Sequence, residues 1–153
     1  MPTTAAEAVA SWRRGDCEVS ADRARLDLER VHRWIGAESY WAAGIPRERF
    51  ERAVAHSLAF GLYRGAGQIG FARVVTDRTT YAYLCDVWVD APERGAGLGK
   101  WLVECVLAHP DLQGLRRHCL MTRDAHSLYA AFGFKPMPDP TRYLEIHQPE
   151  VYR

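Results

Sequence analysis

Ten consecutive residues from Thr80 to Val89 (TYAYLCDVWV) constrain the fold more than any other part of the sequence. They are rich in aromatic and β-branched side chains, and apolar residues stand at both odd and even positions. A strand with this pattern is buried on both faces, so it has to lie inside a sheet that is covered on both sides. We therefore predict a central strand over residues 80–89.

Two further strands come directly before this one. Residues 58–64 and 68–76 are again rich in aromatic and β-branched side chains, and Gly65-Ala66-Gly67 separates them. Such a short glycine-containing connection is typical of an antiparallel hairpin. A second turn at residues 77–79 leads into the central strand, so the three strands are predicted to form a meander.

The remaining segments alternate between helical and strand patterns. Helices are predicted over Asp22–Ile35, Pro46–His56, Leu98–Val106 and Ala125–Phe132, and short strands over Cys17–Ser20, His118–Met121 and Tyr143–His147. The order βααβββαβαβ indicates a single α/β (or α+β) domain over residues 16–153, with helices on both faces of a mixed sheet. Residues 1–15 are predicted to be an N-terminal extension, either a short helix or a frayed tail.

Composition excludes several classes of function. Lys and Arg number 20 against 19 Asp and Glu, which is not the basic surface that nucleic-acid binding needs. The first fifteen residues contain no apolar stretch long enough for a signal peptide or a membrane span, so we expect a cytoplasmic protein with no membrane partner. The four cysteines show no CxxC pair and no histidine at zinc spacing, which predicts reduced core residues and no metal site.

A glycine-rich segment, Arg94-Gly-Ala-Gly-Leu-Gly-Lys100, joins the central strand to the strongest amphipathic helix. Glycines at alternate positions leave the backbone uncovered, so N–H groups at the start of the helix can bind a phosphate or pyrophosphate. The segment is not a Walker A loop, which needs Ser or Thr where Trp101 stands, and it lacks the parallel βαβ setting of a dinucleotide-binding loop. A tight turn without any ligand is the alternative interpretation.

Two motifs together resemble one family. Residues 94–99 resemble the R/Q-x-x-G-x-G/A signature of the GNAT family of N-acetyltransferases, which follows a hydrophobic strand and opens a long helix. Residues 124–134 (DAHSLYAAFGF) resemble the later GNAT segment in which a helix carrying a tyrosine ends in Gly-Phe. The resemblance covers about residues 17–147. It implies a twisted, mostly antiparallel GNAT-like sheet flanked by helices, and an enzyme that uses acetyl-CoA to acetylate an amine.

The resemblance also implies which residues hold coenzyme A. Backbone groups of residues 87–89 pair with the pantetheine arm and hold the thioester carbonyl, with the N–H of Val89 or its neighbour as the oxyanion donor. N–H groups of residues 95–100 hold the pyrophosphate, and Asp124 stands where many members have a cofactor-contacting Asn. The implied cofactor-binding residues are Val87, Trp88, Val89, Arg94, Gly95, Ala96, Gly97, Leu98, Gly99, Lys100 and Asp124.

Two residues are candidates for catalysis. Tyr129 faces the sulfur in the family, and a phenol with a pKa of about 10 can protonate a departing thiolate; its alternative role is that of a core aromatic. Asp86 is the one charged residue in the central strand and is a candidate general base, because the family's commonest base, a glutamate, is replaced here by Tyr83. Asp86 alternates onto the face of Leu84 and Trp88, so it is also a candidate anchor for a neighbouring loop, with a water chain as the rival base.

The acceptor is predicted to be a small-molecule primary amine that attacks directly in a ternary complex. Glu38, Tyr40 and Trp41 precede the second helix, where the family builds one wall of its substrate pocket, and Tyr83 is the fourth candidate contact. The alternative for Tyr40 and Trp41 is burial under the loop. Two other functions stay open, namely protein or peptide N-acetylation and non-catalytic acyl-CoA binding. Homodimerisation is common in the family, but no sequence feature specifies an interface.

Overall fold

The computed structural model describes residues 8–153 and contains one sheet of six strands. The strands lie in the order in which they occur in the chain, and each pair of neighbours is antiparallel except the last, β5 and β6, which is parallel. The strands are β1 (Ser11–Arg14), β2 (Cys17–Ser20), β3 (Leu58–Arg64), β4 (Gly67–Thr76), β5 (Tyr81–Val89) and β6 (Arg117–Leu120).

Four α-helices connect or flank these strands. They are α1 (Leu28–Arg33), α2 (Arg47–Ala55), α3 (Leu98–Leu107) and α4 (His126–Ala130). Helix α1 begins after Asp27, whose side chain accepts a hydrogen bond from the backbone N–H of Arg30 at 3.1 Å, and it continues into a π-helical turn over Trp34–Glu38. Helix α2 begins directly after Pro46, whose fixed φ suits a helix start.

The sheet separates two apolar cores. On one face α3 packs through Leu102 and Val106 against residues of β3, β4 and β5. On the other face the chain from α1 to α2 packs through Ile35 and Phe50 against Phe71 of β4. Burial on both faces explains why the sequences of β3, β4 and β5 are almost continuously apolar.

Most of the predicted architecture is confirmed. The hairpin, the meander, the second helix, the long helix after the glycine loop and the strand near residue 118 all occur within one or two residues of their expected bounds. The mixed, mostly antiparallel sheet flanked by helices is the predicted fold. All four cysteines are free. No helix in the described part of the chain is long and apolar enough to cross a membrane.

Three details differ from the sequence-based expectations. Residues 11–14 form strand β1, paired with β2, although residues 1–15 were expected to be a helix or a tail; residues 1–7 of that predicted extension lie outside the described part. The first helix begins at Leu28 rather than near Asp22, because Asp22 instead caps a short 3-10 turn over Arg23–Arg25.

The third difference is the predicted final strand at residues 143–147, which is wrong. The segment leaves a 3-10 turn at Pro140–Arg142 without joining the sheet, and Leu144 and Ile146 are 89% and 94% exposed. Further on, Tyr152 packs against the core next to α1 and α2. The alternating pattern is that of a strand, but a strand also needs a partner backbone, which the described structure does not supply here.

A prediction concerns the close packing of Tyr63 over Gly61 in β3. A β-carbon added at Gly61 would lie 2.2 Å from the Tyr63 hydroxyl oxygen and 2.4 Å from its ring. We expect Gly61→Ala to lower the free energy of unfolding by about 1–3 kcal/mol, measured by urea denaturation. The same substitution in a Tyr63→Ala background should cost clearly less; an equal cost in both backgrounds would contradict the steric explanation.

Candidate active site

Strands β5 and β6 separate partway along their length. Their pairing runs from Tyr81 opposite Arg117 to Leu84 opposite Leu120, whereas β5 continues for five more residues to Val89. Over those residues the edge of β5 that faces β6 has no neighbouring strand in the described structure. The gap forms a cleft, one wall of which is the edge of β5 that no strand pairs with in the described residues.

A β-bulge lies where this cleft begins. Asp86 and Val87 of β5 together stand opposite the single residue Ala72 of β4. Asp86 has a φ of 53°, a left-handed conformation that Asp adopts more readily than most residues. The extra residue changes the phase of side-chain alternation, so Leu84 packs with the α3 core while Trp88 packs with the core on the opposite face. The expected common face for Leu84, Asp86 and Trp88 is therefore wrong.

Beyond the bulge, every second residue of β5 directs its backbone N–H and C=O groups into the cleft. The N–H of Asp90 donates to the carbonyl oxygen of Ile69 in β4 at 2.8 Å. Because hydrogen-bonding direction alternates along an antiparallel strand, Trp88 also directs its backbone groups to β4, whereas Val87 and Val89 direct theirs away from it. Of the three predicted backbone contacts, the geometry therefore favours Val87 and Val89 over Trp88.

The glycine loop lies at the end of the cleft. A short 3-10 turn over Ala91–Glu93 follows β5, and the loop then leads into α3. Gly95 and Gly97 have φ values of 90° and 78°, and a β-carbon built on either would have no atom within 4 Å. Gly97 is the N-cap of α3 and supplies no side-chain hydrogen bond, so the first N–H groups of this ten-residue helix are left for another partner. The loop is open to solvent.

The two cations of the loop have different environments. Arg94 donates from Nε to the carbonyl oxygen of Val89 at 2.7 Å, and its guanidinium lies 4.6 Å from the ring centroid of Trp88. These contacts fold the side chain of Arg94 back onto the end of β5. Its Nε–H group occupies the carbonyl oxygen of Val89, and its positive charge stabilises the end of the strand. Lys100 is exposed in the first turn of α3.

Tyr129 comes from α4 and packs in the core on the α3 face of the sheet. It is 9% exposed, and its ring makes an edge contact with Phe134 at a centroid distance of 5.9 Å. Burial raises the pKa of Tyr129, with a smaller contribution from nearby Tyr40, so the phenol carries its proton at neutral pH. No hydrogen bond joins the hydroxyl to any other group in residues 8–153.

Both carboxylate oxygens of Asp86 are already hydrogen-bonded. Arg73 of β4 donates from Nε to Oδ2 at 2.8 Å, and Trp41 donates from its indole Nε1 to Oδ1, also at 2.8 Å. The side chains of Asp86 and Arg73 are 5% and 17% exposed, so this is a buried ion pair. Arg73 also reaches the hydroxyl of Ser57 at 3.1 Å. The network ties the loop after α1 to the bulge in β5.

The aromatic loop, which carries Tyr40 and Trp41, is exposed. The alternative that both rings are buried under this loop is therefore wrong. Tyr40 and Trp41 are 49% and 42% exposed and touch edge to face. The guanidinium of Arg123, from the segment before α4, lies 3.8 Å from the ring centroid of Tyr40. This contact joins the two sides of the cleft at its mouth. Trp41 in turn makes an edge contact with Trp88.

The remaining predicted residues lie around this arrangement. Tyr83 is half-buried on β5, and burial raises its pKa to about 12. Glu38 is exposed at the end of the π-helical turn, and Asp124 is exposed next to Arg123. The structure gives neither carboxylate a hydrogen-bonding partner among residues 8–153, and no group of His, Cys, Asp or Glu in that range is arranged to hold a metal ion.

Sequence analysis missed two residues of the site. Arg73 could have been found, because it is a lone charge inside an apolar strand, which is the same signal that drew attention to Asp86. Arg123 had no such signal, since its contact with Tyr40 joins segments more than eighty positions apart and depends on the tertiary fold.

Known acetyltransferases are similar to this chain in sequence and in fold. The family model for the acetyltransferase (GNAT) domain matches residues 55–136. An acetyltransferase of Gibberella zeae is 33% identical over 141 residues, covering 78% of each chain. The crystal structure of a GNAT-family acetyltransferase from Xanthomonas campestris pv. campestris is 46% identical, with a TM-score of 0.87 over 89% of this chain and 96% of that one.

A more distant structure adds support for the fold alone. A predicted acetyltransferase from Clostridium acetobutylicum, solved with acetyl-CoA, is 14% identical, with a TM-score of 0.52 over 66% of this chain and 71% of that one. Fold, motifs and relatives together define a class, the acetyltransferases. Within that class, the chain belongs to the GNAT family.

A prediction follows from the buried ion pair. Asp86→Asn removes the only carboxylate paired with Arg73 in the described structure and leaves a buried guanidinium uncompensated. We expect the free energy of unfolding to fall by about 3 kcal/mol in urea denaturation. Glu51→Gln, which breaks the exposed pair with Arg47, is the matched control and should leave stability unchanged. Equal stability of Asp86→Asn and the native protein would show that the ion pair does not hold the bulge.

Proposed function

We propose that the protein transfers the acetyl group of acetyl-CoA to the primary amine of a small molecule, by direct attack of the amine in a ternary complex. The observation that carries the proposal is the juxtaposition of the open β5 edge at Val87 and Val89 with the uncapped start of α3. An extended chain with carbonyl and amide groups can pair with such an edge, and a diphosphate suits such a helix start.

The glycine loop fits the diphosphate of coenzyme A. Backbone N–H groups from Gly95 to Lys100 would hold it, since the space above Gly95 and Gly97 is open and no side chain caps the helix. The C. acetobutylicum structure, which shares the fold, was solved with acetyl-CoA and supports the choice of ligand rather than the residues that hold it. The N–H of Val87 would pair with the pantetheine arm, and bound acetyl-CoA supplies the activated acetyl group.

Two groups of this chain would serve the transfer itself. The N–H of Val89 would donate to the thioester carbonyl oxygen as that oxygen gains negative charge. The hydroxyl of Tyr129, protonated at neutral pH and not hydrogen-bonded within the described chain, would give its proton to the departing sulfur.

The role that the contacts favour for Asp86 is positioning. Its two oxygens accept hydrogen bonds from Arg73 and Trp41. The carboxylate therefore orients the bulge and the aromatic loop rather than taking a proton. We propose that a water chain removes the proton from the amine. The acceptor would lie against Trp41, Tyr40 and Tyr83, with Glu38 at the edge of the site.

The test of the proposed function is thiol release from acetyl-CoA in the presence of a panel of amines, amino acids, aminoglycosides and peptides, alongside calorimetry with coenzyme A. Amine-dependent release of thiol supports a small-molecule N-acetyltransferase. Binding of coenzyme A without turnover of any amine or peptide would indicate a non-catalytic acyl-CoA-binding protein. Absence of coenzyme A binding would overturn the proposal.

Tyr129→Phe tests the proton donor. We expect kcat to fall about 100-fold while the Kd for coenzyme A stays the same, because the ring and its packing are kept and only the proton is lost. Tyr63→Phe is the control, since the hydroxyl of Tyr63 is also buried but belongs to β3 and has no hydrogen-bond partner among residues 8–153. An unchanged kcat for Tyr129→Phe would remove this residue from the mechanism.

Gly97→Ala tests the diphosphate loop. A β-carbon is unfavourable at φ 78°, so the loop should shift and the Kd for coenzyme A should rise about tenfold by calorimetry. Gly65→Ala places the same strain, at φ 57°, in the hairpin between β3 and β4 and should leave the Kd unchanged. Equal affinities for both variants would indicate that the loop does not hold the cofactor.

A further inference from the structure

A second concave site lies at the opposite end of β5 from the cleft. It is a pocket of about 340 Å³ whose walls are Thr80, Tyr81, Arg116, Arg117 and Arg142. Tyr81 and Arg117 are paired where β5 and β6 begin, and Arg142 ends the 3-10 turn that follows α4. Tyr81 and Val89 are eight residue steps apart along β5, at most about 26 Å, so the pocket is distinct from the diphosphate loop.

The three arginines of the pocket lack a carboxylate partner. No ion pair within 4.0 Å involves Arg116, Arg117 or Arg142 in residues 8–153. Three arginines without a carboxylate partner in the described residues thus line one concave surface.

The carboxylates nearest to this pocket in sequence are engaged elsewhere. Asp77 accepts hydrogen bonds from the backbone N–H groups of Thr79, Thr80 and Tyr81. Asp139 accepts from the backbone N–H of Thr141 at 3.2 Å. Both side chains therefore serve turns of their own, and neither forms an ion pair with the arginines of the pocket.

The walls of the pocket are anchored by the fold. The backbone N–H groups of Arg116 and Arg117 both donate to the carbonyl oxygen of Thr80, at 3.1 and 3.3 Å. The hydroxyl of Tyr81 is hydrogen-bonded to the sulfur of Cys119 at 2.7 Å, which fixes its ring. Only the guanidinium groups remain to be ordered by a ligand, and a pre-formed site loses less entropy on binding.

The chemistry of these walls selects the ligand. A guanidinium pairs with carboxylate or phosphate through two parallel hydrogen bonds, and several such groups favour a multivalent anion. A volume of about 340 Å³ suits a small molecule. We propose that this pocket binds the anionic part of a small molecule, a phosphate or a di- or tricarboxylate, at a site separate from the diphosphate loop. The proposal does not depend on acetyl transfer.

The test is calorimetric titration of the purified protein with inorganic pyrophosphate and with citrate. We expect saturable binding with a Kd of about 1 mM or tighter, weakened at least tenfold in an Arg117→Gln/Arg142→Gln double variant. The matched control is Arg33→Gln/Arg49→Gln, which removes two exposed arginines elsewhere and should bind as the native protein does. Gly97→Ala should also bind citrate normally, which separates the pocket from the diphosphate loop.

Two results would overturn the proposal. One is the absence of saturable binding at about 10 mM anion. The other is equal affinity in the two double variants, with native circular dichroism confirming that both are folded. Because Arg116, Arg117 and Arg142 are exposed, folding should survive; the single variant Arg116→Gln, expected to bind more weakly as well, gives an independent measurement.

A kinetic experiment distinguishes whether the bound anion is part of the acceptor or a separate metabolite. If the anion belongs to the acceptor, an amine that carries a carboxylate or phosphate should have a lower KM than the same amine without it. Arg117→Gln/Arg142→Gln should abolish that difference. If the anion is a separate metabolite, both amines should have the same KM and citrate should still bind. Failure of all amines would count against the proposed function only, since anion binding is measured without turnover.

Discussion

The buried ion pair between Asp86 and Arg73 is the interaction on which the shape of the cleft depends. It holds β5 in a left-handed conformation at one residue, so that two residues oppose one in β4. That single extra residue sets the direction of every backbone group that follows it. The same carboxylate accepts the indole N–H of Trp41, so the proposed cofactor wall and the proposed acceptor wall share one anchor.

The parallel pairing of β5 with β6 explains why the glycine loop lies beside the cleft. Parallel strands need a crossover connection, and here that connection is α3, which begins near the carboxyl end of β5. A helix that begins there directs its positive end toward the point where β5 and β6 have separated. Backbone edge and helix start therefore meet through topology alone. Crevices at the carboxyl ends of parallel strands are common binding sites for the same reason.

Local patterns predicted much of the fold, because the hairpin around residues 65–67 and the amphipathic α3 are encoded by neighbouring residues. The segment 143–147 shows the limit of this approach. Its alternation is that of a strand, but pairing depends on where its partner lies. The same limit applies to the site. The glycine loop and Tyr129 were recognised by motif, whereas the partnership of Asp86 with Arg73 needs the bulge, which no local pattern revealed.

The bulge also narrows the choice of amino acid at its first residue. The left-handed backbone at position 86 excludes β-branched side chains and favours Gly, Asn and Asp, while the guanidinium beside it demands a negative charge. Glu carries the negative charge but lacks the short side chain that hydrogen-bonds locally in this backbone conformation. Asn adopts the left-handed conformation readily but carries no charge. Aspartate is the residue that meets both requirements. Few substitutions should therefore be tolerated at position 86, even though this residue need not contact a substrate.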